Sequence, residues 1–256
     1  MKPDLSGKTQ IYGVIGDPVA HSLSPAMHNA AFQALDFDCI YLAFNVKSVN
    51  VENAIRGMRA LNIRGLNVTM PHKTAVLSYL DEVDKTAQFL GSVNTILNDN
   101  GVLRGFSTDG LGARRALEEN DVDICGKKLV LLGGGGAAKA IAYALAKDVA
   151  EIVILNRTTA KTSKLSETLN RTFNNKISST KLSPSAIYKN LSDADILINA
   201  TSVGMNPHAD ESIVAPEWLK PDLTVMDIVY DPLETKLAKA AKAVGARVIS
   251  GLEMLV

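Results

Sequence analysis

Residues 128–138 constrain this chain more than any other stretch. Lys128 is followed by Leu129-Val130-Leu131-Leu132, an apolar run of strand length, and the chain then enters Gly133-Gly134-Gly135-Gly136-Ala137-Ala138 at the head of an Ala-rich helical segment, Ala137–Lys147. Strand, glycine turn and helix in that order satisfy the G-x-G-x-x-G/A dinucleotide pattern at Gly133, Gly135 and Ala138. One glycine permits the tight turn, the next lets backbone amides approach a pyrophosphate, and the small third residue lets helix and strand pack closely. The helix N-terminus adds partial positive charge. A glycine-rich turn without a ligand is the competing reading, and the flanking strand and helix weigh against it. A P-loop is excluded, because Ala138-Lys139-Ala140 stands where that pattern requires Gly-Lys-Ser/Thr.

A second apolar strand, Glu151–Leu155, completes a strand, helix and strand unit and runs into Asn156-Arg157-Thr158. NAD-binding units usually place an acid here to accept from the ribose hydroxyls, and none is present. Arg157, with Thr158 and Lys161, suits the 2′-phosphate of NADP instead, since a guanidinium meets phosphate through paired charge-assisted hydrogen bonds. The bland reading of the same residues is a solvated arginine and a threonine helix cap. Ala194–Asn199, Leu223–Ile228 and Arg247–Ser250 read as further buried strands and Glu234–Val244 as a helix. This part of the chain is therefore expected to be an α/β fold with a parallel sheet covered on both faces. The polar stretch Asn170–Ser183 is expected to be its least ordered segment.

The first third alternates in the same way. Gln10–Ile15, Cys39–Val46 and Gly65–Met70 read as strands, and Pro25–Leu35, Val51–Leu61 and Pro71–Tyr79 as helices. Val93–Leu97 and Leu103–Phe106 read as a hairpin about Asn98-Asp99-Asn100-Gly101, and Leu111–Asn120 as a helix leading to the glycine unit. Two domains are expected, joined near residues 107–110: residues 1–108, an α/β unit, and residues 109–250, a Rossmann-type dinucleotide-binding domain. The chain's 256 residues suffice for both. Lys plus Arg and Asp plus Glu each number 27, at a pI of 6.9, which leaves no basic excess for a nucleic acid partner. Cys39 and Cys125 form no CxxC pair, as expected of a reducing cytoplasm. The N-terminus lacks a signal-like apolar stretch and no apolar run reaches ~18 residues, so a soluble protein without membrane contact is expected.

In the first domain, Ser24 is expected to cap the helix that Pro25 opens, which leaves Ser22 as a second hydroxyl beside a helix N-terminus, suited to a carboxylate. In Asn67-Val68-Thr69-Met70-Pro71-His72-Lys73, Pro71 is expected to open a helix with Lys73 in its first turn. The macrodipole disfavours a cation there, an arrangement that favours an acidic partner and proton-transfer work; a lysine reaching to water is the alternative. Asp109, in Ser107-Thr108-Asp109-Gly110, is either the N-cap of the next helix or a group at the domain joint facing cofactor and substrate. Asn67, Thr69 and Asn94 would supply donors and acceptors to a polyhydroxylated ligand, or finish turns. His21, His28, His72 and His208 show no metal-ligand spacing, so no metal is expected; there is no GxSxG nucleophile elbow.

Taken in order, Ser22-Leu23-Ser24-Pro25, Asn67 to Lys73, Val93-Asn94-Thr95, Ser107 to Gly110, the glycine turn, Asn156-Arg157-Thr158 and Thr201-Ser202-Val203-Gly204-Met205 resemble the shikimate dehydrogenase family over nearly the whole chain. The resemblance implies reversible reduction of 3-dehydroshikimate to shikimate with NADPH, in two α/β domains with the site in the cleft between them. It implies Lys73 and Asp109 as the catalytic pair. Ser22 and Ser24 would hold the substrate carboxylate, Asn67, Thr69, Asn94 and Asp109 the ring hydroxyls, and Tyr230 would make a further substrate contact. Toward the cofactor it implies Gly133, Gly134, Gly135, Gly136, Ala137, Asn156, Arg157, Thr158, Lys161 and Thr201, with Met205, Ile228, Gly251 and Met254 near the nicotinamide. Ser92 and Gly134 stand where the family commonly has alanine. Family members continue beyond a Gly-Leu-x-Met-Leu-Val segment with a substrate-contacting glutamine and returning helices, so the resemblance implies that residues 1–108 are the substrate domain and that 251–256 begin a return to it, and residues 1–256 alone are expected to bind NADP yet to be weakly active and thermally fragile. The alternatives are a quinate/shikimate dehydrogenase of broader cofactor use and a non-catalytic NADP-binding sensor. Homodimer and monomer are both open.

Overall fold

Strands alternate with helices in both units of the chain, which a computed structural model describes over residues 5–255. The first unit ends at Thr108 and the second begins at Asp109.

The first unit holds β1 (Gln10–Gly16), β2 (Cys39–Asn45), β3 (Gly65–Val68), β4 (Glu82–Val83), β5 (Thr95–Asp99) and β6 (Val102–Phe106), with helices α1 (Ser24–Ala34), α2 (Val51–Ala60) and α3 (Lys85–Leu90). The sheet runs β2-β1-β3-β5-β6-β4 and is mixed: β1 pairs in parallel with β2 and β3, and β5 antiparallel with β3 and β6. Val51, Ile55 and Met58 recur at helical spacing and are the buried stripe of α2. They pack with Ile15, Leu66, Val68 and Ile96, each such buried side chain contributing about 1.5–3 kcal/mol. Val14 and Tyr41 pack instead with Tyr12 and with Phe32 of α1. The β5–β6 hairpin turns at Asn100 and Gly101, both left-handed at φ 53° and 93°, the pair a type I′ turn requires.

Pro71–Tyr79 is not the expected α-helix. Residues 71–74 form a turn and Ala75–Tyr79 a 3-10 helix. The carbonyl of Lys73 accepts from the Val93 amide at 2.8 Å, so Leu77 donates to Thr74 rather than to Lys73. The His72 ring, 1% exposed, anchors the turn through Nε2 to the Val46 carbonyl at 2.6 Å.

The second unit holds β7 (Lys128–Leu132), β8 (Glu151–Asn156), β9 (Lys176–Lys181), β10 (Ile196–Asn199), β11 (Thr224–Asp227) and β12 (Arg247–Ser250), all parallel. Its helices are α4 (Asp109–Glu119), α5 (Gly136–Leu145), α6 (Thr159–Phe173), α7 (Pro184–Leu191), α8 (Lys236–Ala243) and α9 (Gly251–Leu255). The order β9-β8-β7-β10-β11-β12 is the doubly wound dinucleotide-binding order, reversing direction between β7 and β10. β7, β8 and β10 are near-continuously buried, as strands covered on both faces must be.

Asn170–Ser183, expected to be least ordered, supplies the end of α6 and the strand β9. Its polarity reflects an edge position: only Ile177 of β9 is buried. Asn170 ties helix to strand, its Nδ2 donating to the Ile177 carbonyl and its Oδ1 accepting from the Ile177 amide, both at 2.8 Å. Helix α9 packs on α4 and groups with the second unit; a methyl on Gly112 would lie 2.5 Å from the Met254 carbonyl oxygen. Among the described residues, no helix is long and apolar enough to cross a membrane.

Candidate active site

In the second unit the turn after β7 passes through Gly133 at φ 111°, where a methyl would lie 2.6 Å from the Ala200 carbonyl oxygen. Only glycine accepts both that backbone and that approach. Gly134 is also enclosed: a methyl there would lie 2.5 Å from Thr162 Cγ2 and 2.7 Å from Asn156 Nδ2. Gly135, the N-cap of α5, has no side-chain cap and nothing within 4 Å of its missing Cβ. The amides of Gly136 and Ala137 thus open a helix with room for a pyrophosphate at its positive end, so the residues present fit a dinucleotide. At the end of β8, Asn156 Nδ2 donates to the Thr158 carbonyl at 2.8 Å, folding a corner on which Arg157, Thr158 and Lys161 are exposed. Thr158 occupies the N-cap position of α6 but makes no side-chain cap bond, so the simple cap reading fails.

Sequence reasoning missed a buried network where β10 and β11 end. Asp227, 2% exposed, accepts from Asn199 Nδ2 at 2.9 Å, from the Val229 amide at 3.1 Å and from the Thr235 hydroxyl at 2.6 Å. Burial pushes this carboxyl above the usual range, against the opposing pull of those three donors. Asn199 Oδ1 in turn accepts from the Thr201 hydroxyl at 2.7 Å, and Thr201 Oγ1 accepts from the Val203 amide at 3.2 Å, shaping the loop that leads to Met205. Thr235 caps α8 through the Ala238 amide at 3.1 Å. A polar residue closing each of two apolar strands, Ile196–Asn199 and Thr224–Asp227, was the available signal. Beyond β11, the Ile228 carbonyl oxygen approaches Gly251 so closely that a methyl there would clash with it. Tyr230 is half-buried, its phenol pushed up by burial and by neighbouring Asp231.

In the first unit, Ser24 is not the N-cap of α1: it lies inside the helix, and Leu23 holds the cap position without a side-chain bond. Ser22 takes part of that role, its Oγ accepting from the Ser24 amide at 3.3 Å. Asn67 of β3 faces Thr95 of β5, and its Nδ2 donates to the Asn94 carbonyl at 3.4 Å and Thr95 Oγ1 at 3.3 Å. Asn94 Oδ1 accepts from the Thr108 amide at 2.9 Å, and the Thr69 amide donates to the Ile15 carbonyl at 2.9 Å. Asn67 and Asn94 are thus gathered at one end of the β3–β5 pair. Lys73 follows in the turn pinned by Val93, and Asp109 stands in the first turn of α4, in the second unit. With 71–74 a turn, the macrodipole argument for Lys73 no longer applies. Among the described residues, no group of three His, Cys, Asp or Glu is placed to hold a metal ion.

A family profile described as "Shikimate dehydrogenase substrate binding domain" matches residues 14–96, and one described as "Shikimate / quinate 5-dehydrogenase" matches residues 114–228. A relative from Methanosarcina barkeri named "Shikimate dehydrogenase (NADP(+))" is 49% identical over 96% of this chain and 89% of its own. A crystal structure of a shikimate dehydrogenase in complex with NADP+ is 46% identical, with a TM-score of 0.91 over 98% of this chain and 88% of that one. The Thermus thermophilus enzyme in complex with NADP(H) and shikimate is 36% identical, with a TM-score of 0.82 over 96% of this chain and 88% of that one.

Proposed function

Because the chain belongs to the shikimate dehydrogenase family, we propose that it is an NADP-dependent oxidoreductase interconverting 3-dehydroshikimate and shikimate. The carrying observation is the 49% identity, over 96% of the chain, to a relative named for that activity and cofactor. The fit of the glycine turn and the acid-free, basic corner after β8 support it.

NADPH, when bound, supplies a hydride to the ketone carbon. The chain's part is to hold the partners and move a proton. The open amides at Gly135, Gly136 and Ala137 take the pyrophosphate, with Gly133 and Gly134 leaving room for the approach. Asn156, Arg157, Thr158 and Lys161 take the adenosine end, Arg157 gripping the 2′-phosphate. Thr201, Met205, Ile228, Gly251 and Met254 are assigned to the nicotinamide end. Ser22 accepts from the Ser24 amide, which leaves its O–H to donate to the substrate carboxylate, and Ser24 is the second carboxylate ligand. Asn67, Thr69, Asn94 and Asp109 are assigned to the ring hydroxyls, and Tyr230 to a further substrate contact. Lys73 gives the proton that the reduced oxygen needs, and Asp109 orients the ammonium and that oxygen. In the reverse direction the same lysine takes the proton back.

Both cysteines are free thiols, Cys125 exposed, which suits a cytoplasmic enzyme. The test is reduction of NADP by shikimate, run beside quinate and beside NAD. Fastest turnover with shikimate and NADP is expected. No shikimate-dependent reduction, or equal use of NAD, overturns the reading.

A further inference from the structure

Tyr41 lies on β2 with its ring fixed from several sides. Its backbone amide and carbonyl are both held by the Asn29 side chain at 2.9 Å. The His28 ring stacks on it with centroids 4.3 Å apart and planes 16° from parallel. Register shows where the ring goes. Tyr41 pairs with Tyr12 and Ala43 with Val14 across the β2–β1 ladder, while Val14 pairs with Asn67 across the β1–β3 ladder. The ring therefore reaches across β1, and its hydroxyl donates to Asn67 Oδ1 at 2.6 Å. The side chain is 3% exposed. Burial, partly opposed by a hydrogen bond with the Ser24 hydroxyl, holds the phenol well above its ordinary range, so it remains an O–H donor.

A carboxamide has one accepting and one donating end, and its neighbours decide which way each faces. At Asn67 the Nδ2 contacts, 3.3 and 3.4 Å, are at or beyond the long end of the hydrogen-bond range and do little to orient the group. The short bond to Tyr41 is the one that does. We propose that Tyr41 is a positioning residue for the substrate: by donating to Asn67 Oδ1 it fixes the Asn67 amide with Nδ2 toward the ligand, making Asn67 a donor to a ring oxygen rather than an acceptor from one. This rests on the reading of Asn67 as a substrate ligand.

Tyr41→Phe keeps the stacked ring and deletes only the oxygen. With the full chain, KM for shikimate should rise about 3- to 10-fold, the scale of one misdirected hydrogen bond, while kcat changes less and the Kd for NADPH, read by its fluorescence, stays the same. A merely structural role would lower the melting temperature and leave KM alone, and that result overturns the proposal. A double-mutant cycle tests the route: in an Asn67→Ala background, Tyr41→Phe should add nothing to KM, and additive losses overturn action through Asn67. Should Tyr41→Phe melt below the assay temperature, its Kd for shikimate by calorimetry at a temperature where it is folded decides, a raised Kd supporting the proposal and an unaltered one overturning it. A wild-type chain that fails to turn over shikimate overturns the functional reading and this one with it; wild-type turnover with an unmoved KM in Tyr41→Phe overturns only the role of Tyr41.

Discussion

The carbonyl oxygen of Lys73 accepts a hydrogen bond from the amide of Val93 at 2.8 Å. This bond breaks the helical pattern of the segment and replaces it with a turn, whose backbone path is set by the neighbouring strand entry rather than by a helix axis. It is made by main chain alone, so a change of side chain at 73 leaves it in place.

Lys73→Ala is therefore expected to fold normally, with an unchanged melting temperature. Its kcat should fall by ~100-fold or more, the scale of a lost general acid, with a smaller effect on the KM for shikimate. Near-normal turnover across the pH range would remove Lys73 from proton transfer.

Arg157→Ala should raise the KM for NADP by ~10- to 100-fold, corresponding to about 1.5–3 kcal/mol for lost charge-assisted contacts, and leave the use of NAD nearly as it was. Steady-state kinetics with both cofactors checks this. Equal losses with the two would show that the arginine does not read the 2′-phosphate.

Asp227 gives a pH signature. Its folded-state carboxyl lies above the ordinary value, so the folded chain binds more protons than the unfolded one in the window between the two. Stability from this group is present below the unfolded pKa of about 3.9 and is lost as pH rises through the folded pKa. Asp227→Asn has no such dependence. Melting curves at stepped pH should show the wild type's advantage over Asp227→Asn shrinking from acid to neutral pH. An advantage that grows instead would mean that the three donors outweigh burial.

Asn170→Ala should cost about 1–3 kcal/mol, because both backbone groups of Ile177 lose a side-chain partner where β9 leaves α6. Denaturant midpoints should drop while the KM values for shikimate and NADP stay put. A midpoint equal to wild type would show that water replaces the amide at no cost.

The parallel strands of the second unit are legible because burial on both faces leaves a near-continuous apolar signature, as in Leu129 to Leu132. The hairpin is legible from Asn100-Gly101, a pair suited to two left-handed residues. The turn at 71–74 is not, since its cause is a partner twenty residues along the chain, Val93, and Pro71 reads locally as a helix opener. The motif residues of the site are visible as short strings, whereas the groups that orient them are not. Tyr41 reads as an ordinary aromatic in a strand, and Asn199 and Asp227 as strand ends, until register and burial bring their partners to them.

The pairing of Asn170 with Ile177 also bears on how the protein behaves in a crowded solution. β9 is the last strand of its sheet, and an open strand edge invites a strand from another molecule to add to it. The Asn170 amide occupies the donor and acceptor that Ile177 would otherwise present outward, in the manner of one residue of a neighbouring strand. Exposed Lys176 and Lys181 close the two ends of β9 with charge. The polar composition that makes this stretch look unstructured thus works against the addition of a foreign strand, by taking up one outward-facing pair of backbone groups and setting charge at both ends of the edge.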